Sequence, residues 1–591
     1  MKNKMSEGVP KFKSIFSLNE RDGWPVSKYD LHGKKHFAGV YCADHIAATE
    51  FVIGATFVNL GAKTSDILTG LLVGNLLAVL SWTFITAPIA VKTRLSLYNY
   101  IKKIAGSNTI FLFNALNTFM FAVFAGTMIT VSGSSIRVIL NIPTQLGWYP
   151  QDIFFVLLIL ATGSIVVLTA FYGFTAIAKF SVICAPWMLC MFIAGALATL
   201  PLLANHVIGM SEVQSIHDIY HILKNGVWTG AGPEKSGITL FEIIGFAWAA
   251  NATLHFGLVD MALLRFAPKP QYGLFSAFGM YLGHYVCWIC AGIMGASSAL
   301  IIKTNLIQLD CGDVGFATLG LAGLMTVLAA GLTSANPLLY RAGIAANAIF
   351  HKYSRKKTTL ILGIITTIIA CFPFVFTTMM QLLTYAGIII VPIGGIIFVE
   401  HWVFPKIGLT QYWAYYGKGS RNNVAIITWI ASLIFGFSLH IFDVMPYYYI
   451  FLPTWTFSLT LYTVLAYYNG ANEKYPDSEF KEKQILEDIE QIQEREAKQE
   501  KASEIKKTPE RDKKNKIIFN MLSVFSWICL AFIIVLAAYT CMSEDLNIFQ
   551  QKFDLFHKAI LVATIIYFIL GISKILPYDR LIQNGKPSSG E

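Results

Sequence analysis

The sequence predicts an all-α integral membrane protein with about fourteen membrane spans. Hydrophobic residues make up 55% of the 591-residue chain, and only 14% of its residues are charged. The mean hydropathy of +0.56 lies outside the range of soluble domains. Apolar runs of about twenty residues follow one another, and in hydrocarbon such runs have to be helices that close their own hydrogen bonds.

The apolar runs define the predicted spans, numbered 1 to 14 in chain order. They lie near residues 40–62, 66–91, 107–138, 151–172, 177–202, 238–263, 273–302, 315–350, 358–377, 382–403, 422–442, 447–468, 517–541 and 556–577.

The placement of the basic residues predicts the orientation. If the amino terminus is inside, 37 of the 45 Lys and Arg residues fall on the inner side of this span list. Lys and Arg resist translocation, so this asymmetry places both termini in the cytoplasm. The net charge of +10 therefore reflects membrane topology and does not indicate a nucleic-acid partner. We expect a multi-pass protein of the cell membrane, in contact with the lipid bilayer.

Charge also divides the chain into segments. Residues 1–36 form a basic cytoplasmic segment without a cleavable signal, and residues 37–468 form a twelve-span body. Residues 469–516 form a charged cytoplasmic connector that contains a solvated helix. Two further helices follow over residues 517–577, and residues 578–591 form a cytoplasmic tail.

Ionisable residues at membrane depth are the clearest candidates for a functional site, because they are costly unless they face a cavity or a partner. Glu50 lies within span 1, and His255 and Asp260 lie within span 6. A histidine that merely bridges two helices remains an alternative for His255.

Spans 1 and 6 both carry glycine in polar surroundings, at residues 53–56 and 251–257. Glycine tolerates unwound backbone, and a broken helix exposes amides and carbonyls to a bound solute. Interruptions five spans apart predict an inverted-repeat transporter with its binding site near the midplane. Close helix packing is the alternative explanation for each glycine taken alone.

Span 8 places three oxygens on one helix face, from the carbonyl of Ala330 and the hydroxyls of Thr333 and Ser334. Together with loose carbonyls from span 1, such neutral oxygens suit Na⁺. Hydroxyls that bond back to their own helix are the alternative.

Three segments resemble the purine/cytosine permease group of the nucleobase–cation symporter family. They are the Pro/Gly-rich run from Pro392 to Trp402, the Leu-Tyr-Arg-Ala-Gly of residues 339–343, and the Arg-Phe-Ala-Pro of residues 265–268. The resemblance covers roughly residues 30–470. It implies a LeuT-like five-plus-five inverted repeat with two further helices, to which this chain adds a two-helix C-terminal appendix.

The resemblance also implies site residues. The family's Na⁺ site maps onto Ala330, Thr333 and Ser334 in span 8 and onto the carbonyls of Gly54 and Phe57 in span 1. Substrate contacts are expected from span 3, from broken spans 1 and 6, and from span 8: Asn117, Phe119, Met120, Phe121, Glu50, Asn251, His255 and Asn336.

The chain departs from the family pattern in its substrate site. Ala262 stands where the family has an Asp before the Arg that closes span 6, and Met120 stands where span 3 usually has a stacking Trp. The family's amide side chain in span 8, which binds the base, aligns near Leu339, a turn after Asn336. These departures imply a distant member whose substrate contacts differ from those of the family.

The leading function is symport of a small nitrogenous solute, a nucleobase such as cytosine or a purine or a related compound, coupled to Na⁺ or H⁺. An amino acid or amine permease of the same fold is the alternative, because Glu50 would suit a cationic solute. A non-transporting membrane sensor is an alternative of another class. No paired base and nucleophile predicts an enzyme. No cofactor is expected besides Na⁺ as a coupling ion, and the sequence predicts no oligomeric state.

Overall fold

A computed structural model of the chain describes residues 23–583, with gaps at 173, 233–236, 351, 420 and 505–508. Within these residues every regular element is a helix, and the only β pairing is two isolated bridges. The all-α prediction is therefore confirmed. Parts of the predicted cytoplasmic segments, residues 1–22 and 584–591, lie outside the described residues.

Eleven of the described helices are long and apolar enough to cross a membrane. They correspond to spans 2–5, 7, 8 and 10–14. Their bounds are Thr64–Thr93, Asn108–Ile139, Ile153–Phe171, Phe180–Ile208, Pro270–Ile302, Cys311–Ile349, Met379–Ile407, Asn423–Ile441, Tyr447–Ala471, Asn515–Cys541 and Leu546–Lys574.

The remaining three predicted spans are built from shorter helices. Span 9 is the helix Arg355–Ala370. Span 1 consists of Lys34–His45 and Thr49–Asn59, and span 6 of Leu240–Ala249, Ala252–His255 and Met261–Leu264. The two interrupted spans are thus five apart, as the glycine pattern predicts.

The body separates into two groups of helices. Spans 1, 2, 6 and 7 pack against one another, and spans 3, 4, 8 and 9 form a second group in which spans 3 and 8 make the most extensive contact. Span 5 lies against both spans 7 and 8, and span 10 packs on spans 11 and 12. Two neighbouring groups of this kind are the arrangement that rocking transporters require.

A buried ion pair fixes the second group at one membrane surface. The Arg137 guanidinium at the end of span 3 contacts Asp310 at 2.7 Å and Asp313 at 2.5 Å at the start of span 8. Asp310 also caps its own helix by accepting a hydrogen bond from the amide of Asp313. One guanidinium thus pairs with both carboxylates and joins spans 3 and 8.

The two last spans extend the body next to span 5. Trp187 of span 5 donates from its indole nitrogen to the Thr564 hydroxyl of span 14 at 3.1 Å. The Tyr567 hydroxyl of span 14 donates to the carbonyl of Ile183 at 2.8 Å. Span 14 therefore forms specific polar contacts with span 5, and span 13 packs against both spans 5 and 14.

The connector folds as the helix Pro476–Glu504 and docks through a buried salt bridge. Lys103, just before span 3, contacts Glu482 at 2.7 Å, and both side chains are less than 10% exposed. The Lys103 ammonium also lies 3.7 Å above the ring of Tyr412, and Tyr416 donates to Glu482 at 2.5 Å. Burial lowers the pKa of Lys103, and the Glu482 carboxylate opposes that shift.

Further along, the connector holds the segment that leads into span 1. Gln493 donates to the carbonyl of Pro25 at 2.9 Å, and Lys28 pairs with Glu490 at 3.0 Å. The connector is therefore a docked helix rather than a freely solvated one.

Lys103→Met should destabilise the protein strongly, because it leaves the Glu482 carboxylate buried without its cation. Removing one partner of a buried pair costs about 3–5 kcal/mol. We expect a clearly lower Tm for the purified protein in detergent. Lys483→Met is the matched control, since Lys483 is on the same connector and its side chain is 77% exposed. Equal Tm values for both variants would show that the buried pair does not hold the connector.

Candidate functional site

The break in span 1 lies at residues 46–48, where the helix ends at His45 and restarts at Thr49. The sequence predicts the break at residues 53–56, and this position is wrong. Gly54 lies within the regular second helix, where an added Cβ would stand 2.4 Å from the carbonyl oxygen of Trp288 in span 7. Gly54 is therefore required for close helix packing. The carbonyl of Phe57 is also engaged, since it accepts from the amide of Ala62.

The break in span 6 lies where the sequence predicts it. The first helix ends at Ala249, a single turn covers Ala252–His255, and an irregular stretch runs to Asp260. Leu258 in this stretch has a φ of 62°, which a branched side chain adopts only when the surroundings impose it.

The neighbouring spans 2 and 7 are irregular at the same place. Both contain π-helical segments, Trp82–Thr86 in span 2 and Gly279–Cys287 in span 7. Such segments often mark functional sites in membrane helices. Span 7 approaches the end of the first helix so closely that a Cβ on Gly283 would lie 1.9 Å from the carbonyl oxygen of His45.

Side chains satisfy the carbonyls that these breaks release. The Thr86 hydroxyl donates to the carbonyl of His255 at 2.5 Å, and Nε2 of His255 donates to the carbonyl of Trp248 at 3.0 Å. Nδ1 of His45 donates to the carbonyl of Tyr41 at 2.9 Å. A carbonyl can only accept, so each of these ring nitrogens carries a hydrogen.

Asp260 joins three spans beside the breaks. One of its carboxylate oxygens accepts from the Tyr41 hydroxyl of span 1 at 2.9 Å and from the Trp82 indole of span 2 at 2.6 Å. The Trp82 ring also lies edge-on to His255 at 4.9 Å. Asp260 is therefore a positioning residue that fixes spans 1, 2 and 6 relative to one another.

Glu50 is the most deeply buried acid of the site, at 1% exposure. Its Oε2 accepts from the Thr49 hydroxyl at 2.5 Å. Its Oε1 lies 3.9 Å from Nε2 of His284 in span 7, which is too far for a hydrogen bond. The other ring nitrogen of His284 lies 3.4 Å from the side-chain amide nitrogen of Asn251.

Two buried polar atoms of this cluster have no hydrogen-bond partner among the described residues: Oε1 of Glu50 and Nδ1 of His255. Nδ1 of His255 is an acceptor, because Nε2 holds the ring hydrogen. An unsatisfied buried acceptor costs about 1–3 kcal/mol unless a ligand or water completes it. The cluster of Glu50, Asn251, His255 and His284 is therefore the strongest candidate for a solute site, and we call it the break cluster.

The structure does not bring the span 3 candidates into the break cluster. Asn117 is buried and donates to the carbonyl of Phe113 in its own helix. Phe119 is 67% exposed, whereas Met120 is buried. Phe121 is half-buried, with the Arg341 guanidinium 6.0 Å from its ring.

The hydrogen-bond partners of Asn336 also lie outside the break cluster. Its side-chain oxygen accepts from Thr169 of span 4 at 3.0 Å, and its nitrogen donates to the carbonyl of Leu332 at 3.1 Å. Both of its polar atoms are therefore engaged, the oxygen with span 4 and the nitrogen with its own helix.

The proposed cation ligands of span 8 lie together, but their hydroxyls bond to their own helix. Thr333 donates to the carbonyl of Ala329 at 2.8 Å and Ser334 to that of Ala330 at 2.8 Å. A donating hydroxyl keeps its lone pairs, so both oxygens can still face a cation. Span 8 contacts the second helix of span 1. The oxygens of Ala330, Thr333 and Ser334 therefore fit the chemistry of Na⁺.

His45, His284 and Trp82 also belong to this region and were not predicted from the sequence. His45 and His284 are ionisable groups within apolar spans, so the criterion that selected Glu50 and His255 would also have found them. Trp82 had no such signal. Among the described residues, no three His, Cys, Asp or Glu side chains are grouped as a metal site requires.

Comparison with solved structures shows the LeuT-like transporter fold. The chain resembles Mhp1, a nucleobase-cation-symport-1 family transporter, in its inward-facing conformation, with 16% identity over 79% of this chain and 98% of that one and a TM-score of 0.57. It resembles Mhp1 closed around bromovinylhydantoin with 15% identity over 76% and 94% of the two chains and a TM-score of 0.54.

A Na⁺-coupled sialic acid symporter in a substrate-bound outward-open state matches with 15% identity over 76% and 91% of the chains and a TM-score of 0.50. No protein-family model matches the sequence, and no curated protein matches it either. The resemblance to the nucleobase–cation symporters, with the fold of a distant member, is confirmed. These structural neighbours are transporters rather than enzymes.

Asp260→Ala should lower the stability of the protein, because the Tyr41 hydroxyl and the Trp82 indole both lose their acceptor. Each unsatisfied buried donor costs about 1–3 kcal/mol. Asp260→Asn is the matched control, because its side-chain oxygen can still accept from both donors. We expect a larger fall in Tm for Asp260→Ala than for Asp260→Asn. Equal losses would mean that the charge of Asp260 matters and not its acceptor role.

Proposed function

We propose that this protein is a secondary active transporter that couples the movement of a small nitrogenous solute to a cation, Na⁺ or H⁺. The observation that carries the proposal is the break cluster, where two helix interruptions five spans apart meet at buried polar atoms that have no partner among the described residues. Broken helices at the interface of two repeats form the solute site in transporters built this way.

The structural neighbours support transport but differ in their solutes. One is described with bromovinylhydantoin bound, and another is a Na⁺-coupled sialic acid symporter. Because one fold serves such different solutes, the substrate has to be inferred from the site itself. The break cluster offers carboxylate, amide and imidazole groups beside the indole of Trp288, which suits a flat heterocycle with several N–H and C=O groups. A nucleobase such as cytosine or a purine, or a related compound, is therefore the solute we propose.

Two other functions remain distinct alternatives. An amino acid or amine permease would use Glu50 as the counter-charge of a cationic solute. A membrane sensor would bind the solute without accumulating it and would pass the signal to the docked connector. We place the protein in the cell membrane with both termini in the cytoplasm, supported by the Lys and Arg asymmetry.

A thermal-shift screen followed by uptake tests the function. Purified protein is screened against nucleobases, hydantoins, amino acids and amines, and the ligands that raise Tm are then measured for uptake into proteoliposomes under a Na⁺ or a proton gradient. A ligand of the native state raises its stability by mass action. Accumulation of a nucleobase supports the proposal. Binding without gradient-driven accumulation supports the sensor, and accumulation of only amino acids or amines supports the permease.

Thr333→Ala combined with Ser334→Ala should remove the stabilisation that Na⁺ gives, because the pair loses two of the proposed cation ligands. The measurement is the rise in Tm between choline chloride and sodium chloride at equal ionic strength, without any solute. Thr326→Ala is the matched control, since Thr326 of the same span is buried and donates to the carbonyl of Ala322. An unchanged Na⁺ effect in the double variant, or no Na⁺ effect in the wild type, would rule out this site.

A further inference from the structure

We infer that Glu50 and His284 form a proton-dependent clamp for a carbonyl oxygen of the transported solute. The inference rests on the proposed function and adds to it a proton site and a chemical class of ligand atom. It follows from the positions of hydrogens at these two side chains.

The surroundings of Glu50 decide which of its oxygens can take a proton. Oε2 already accepts from the Thr49 hydroxyl at 2.5 Å. Oε1 is buried, has no hydrogen-bond partner among the described residues, and faces Nε2 of His284 at 3.9 Å. A proton taken from water therefore forms its O–H bond on Oε1, where no existing hydrogen bond has to be broken.

The surroundings of His284 decide which of its nitrogens carries the hydrogen. The side-chain amide of Asn251 can only donate from its nitrogen, so Nδ1 of His284, 3.4 Å away, is the acceptor. The neutral ring then holds its hydrogen on Nε2, the atom nearest to Glu50. The ring stacks on Trp288 with centroids 4.2 Å apart and an interplanar angle of 13°, which fixes its orientation.

These positions give the pair two different states. When Glu50 is ionised, Oε1 is an acceptor that the Nε2 hydrogen of His284 can satisfy after a small approach. When Glu50 is protonated, Oε1–H and Nε2–H are both donors that face the same space. An oxygen atom can lie about 2.8 Å from each of two donors that stand 3.9 Å apart. A carbonyl oxygen has two lone pairs and fits between them.

Proton and solute therefore bind together. The proton turns a pair of one acceptor and one donor into a two-donor site, and the solute oxygen satisfies both donors. When the solute leaves, two buried donors face each other without an acceptor, which favours loss of the proton from Oε1 to water. The O–H bond formed on loading is the bond broken on release, so one proton moves with one solute.

Further titratable groups surround the pair of Glu50 and His284. Cys287 of span 7 interacts electrostatically with Glu50 and with Cys42 of span 1. The rings of His45 and His255 both contact the Trp82 ring, and Arg341 of span 8 acts electrostatically on His45. Within the described residues no group of three His, Cys, Asp or Glu side chains is arranged to hold a metal.

Exposed charged groups lie beside this cluster. Asp44 of span 1 and Arg341 of span 8 are both exposed, and both act electrostatically on His45 and Asp260. The His45 ring lies 5.3 Å from the ring of His284. Asp44, His45 and His284 therefore form a row of ionisable groups that leads from an exposed residue towards Glu50.

Infrared difference spectroscopy of the purified protein tests the proton site without any solute. We expect a C=O band of a protonated carboxyl group that appears as the pH falls and is lost in Glu50→Gln. Asp44→Asn is the matched control, since Asp44 is an exposed acid of the same span, and it should keep the band. His284→Gln should keep the band but move its midpoint. A wild-type spectrum that Glu50→Gln leaves unchanged over the full pH range would overturn the proton site.

Binding of three carbonyl probes, uracil, hydantoin and urea, tests the clamp. For a probe that binds, the wild-type Kd should rise tenfold per pH unit above the infrared midpoint, since one proton is linked to one ligand. Glu50→Gln is neutral and presents an N–H donor at every pH, so its Kd should be independent of pH. Wild-type binding without pH dependence, wild-type pH dependence in Glu50→Gln, or no binding of any probe would each overturn the clamp.

The two tests separate this inference from the proposed function. A titrating Glu50 band in a protein that accumulates no solute would contradict transport and leave the proton site standing. Gradient-driven uptake with no change in the infrared spectrum of Glu50→Gln would leave transport standing and contradict the proton site.

Discussion

The structure depends on one constraint: a helix that breaks inside a membrane must find partners for the backbone groups that it releases. Here the partners come from the break cluster and its neighbours. The Thr86 hydroxyl donates a hydrogen bond to the carbonyl of His255, and the His255 ring donates one to the carbonyl of Trp248. The residues that satisfy the breaks are thus the same residues that would meet a solute. Stability and binding are therefore coupled, because a variant that removes one of these hydrogen bonds also changes the shape of the site.

The overall fold could be predicted from the sequence because its signal is long and simple. Apolar runs of fixed length and one-sided basic loops specify membrane helices whatever their tertiary contacts are. The position of the span 1 break could not be predicted. Residues 46–48 are Ile-Ala-Ala, which contain neither Gly nor Pro, so the sequence there carries no signal for a break. In the structure, Gly283 of span 7 lies close to the carbonyl of His45 at this point. The break was predicted around Gly54, but this residue instead allows close packing against Trp288.

The candidate site was partly predictable for a related reason. Glu50, Asn251 and His255 stood out because polar side chains are rare in apolar spans, and the structure brings them into one cluster with His284. The span 3 residues and Asn336 were assigned through resemblance alone. Their surroundings in this chain differ: Asn336 is used by Thr169, and Phe119 is exposed. At 15–16% identity, resemblance predicts the backbone fold more reliably than it predicts side-chain contacts.

The docked connector has a consequence for any relative motion of spans 1 and 3. Its helix is held at Glu482 by Lys103 and at Glu490 and Gln493 by the segment that leads into span 1. These points are eight and eleven residues apart, or about 12–17 Å along a stiff helix. The connector helix therefore fixes the distance between the segments that lead into span 1 and span 3. If that distance changes, the exposed pair of Lys28 and Glu490 gives way before the buried pair of Lys103 and Glu482, so the N-terminal segment is the end that detaches.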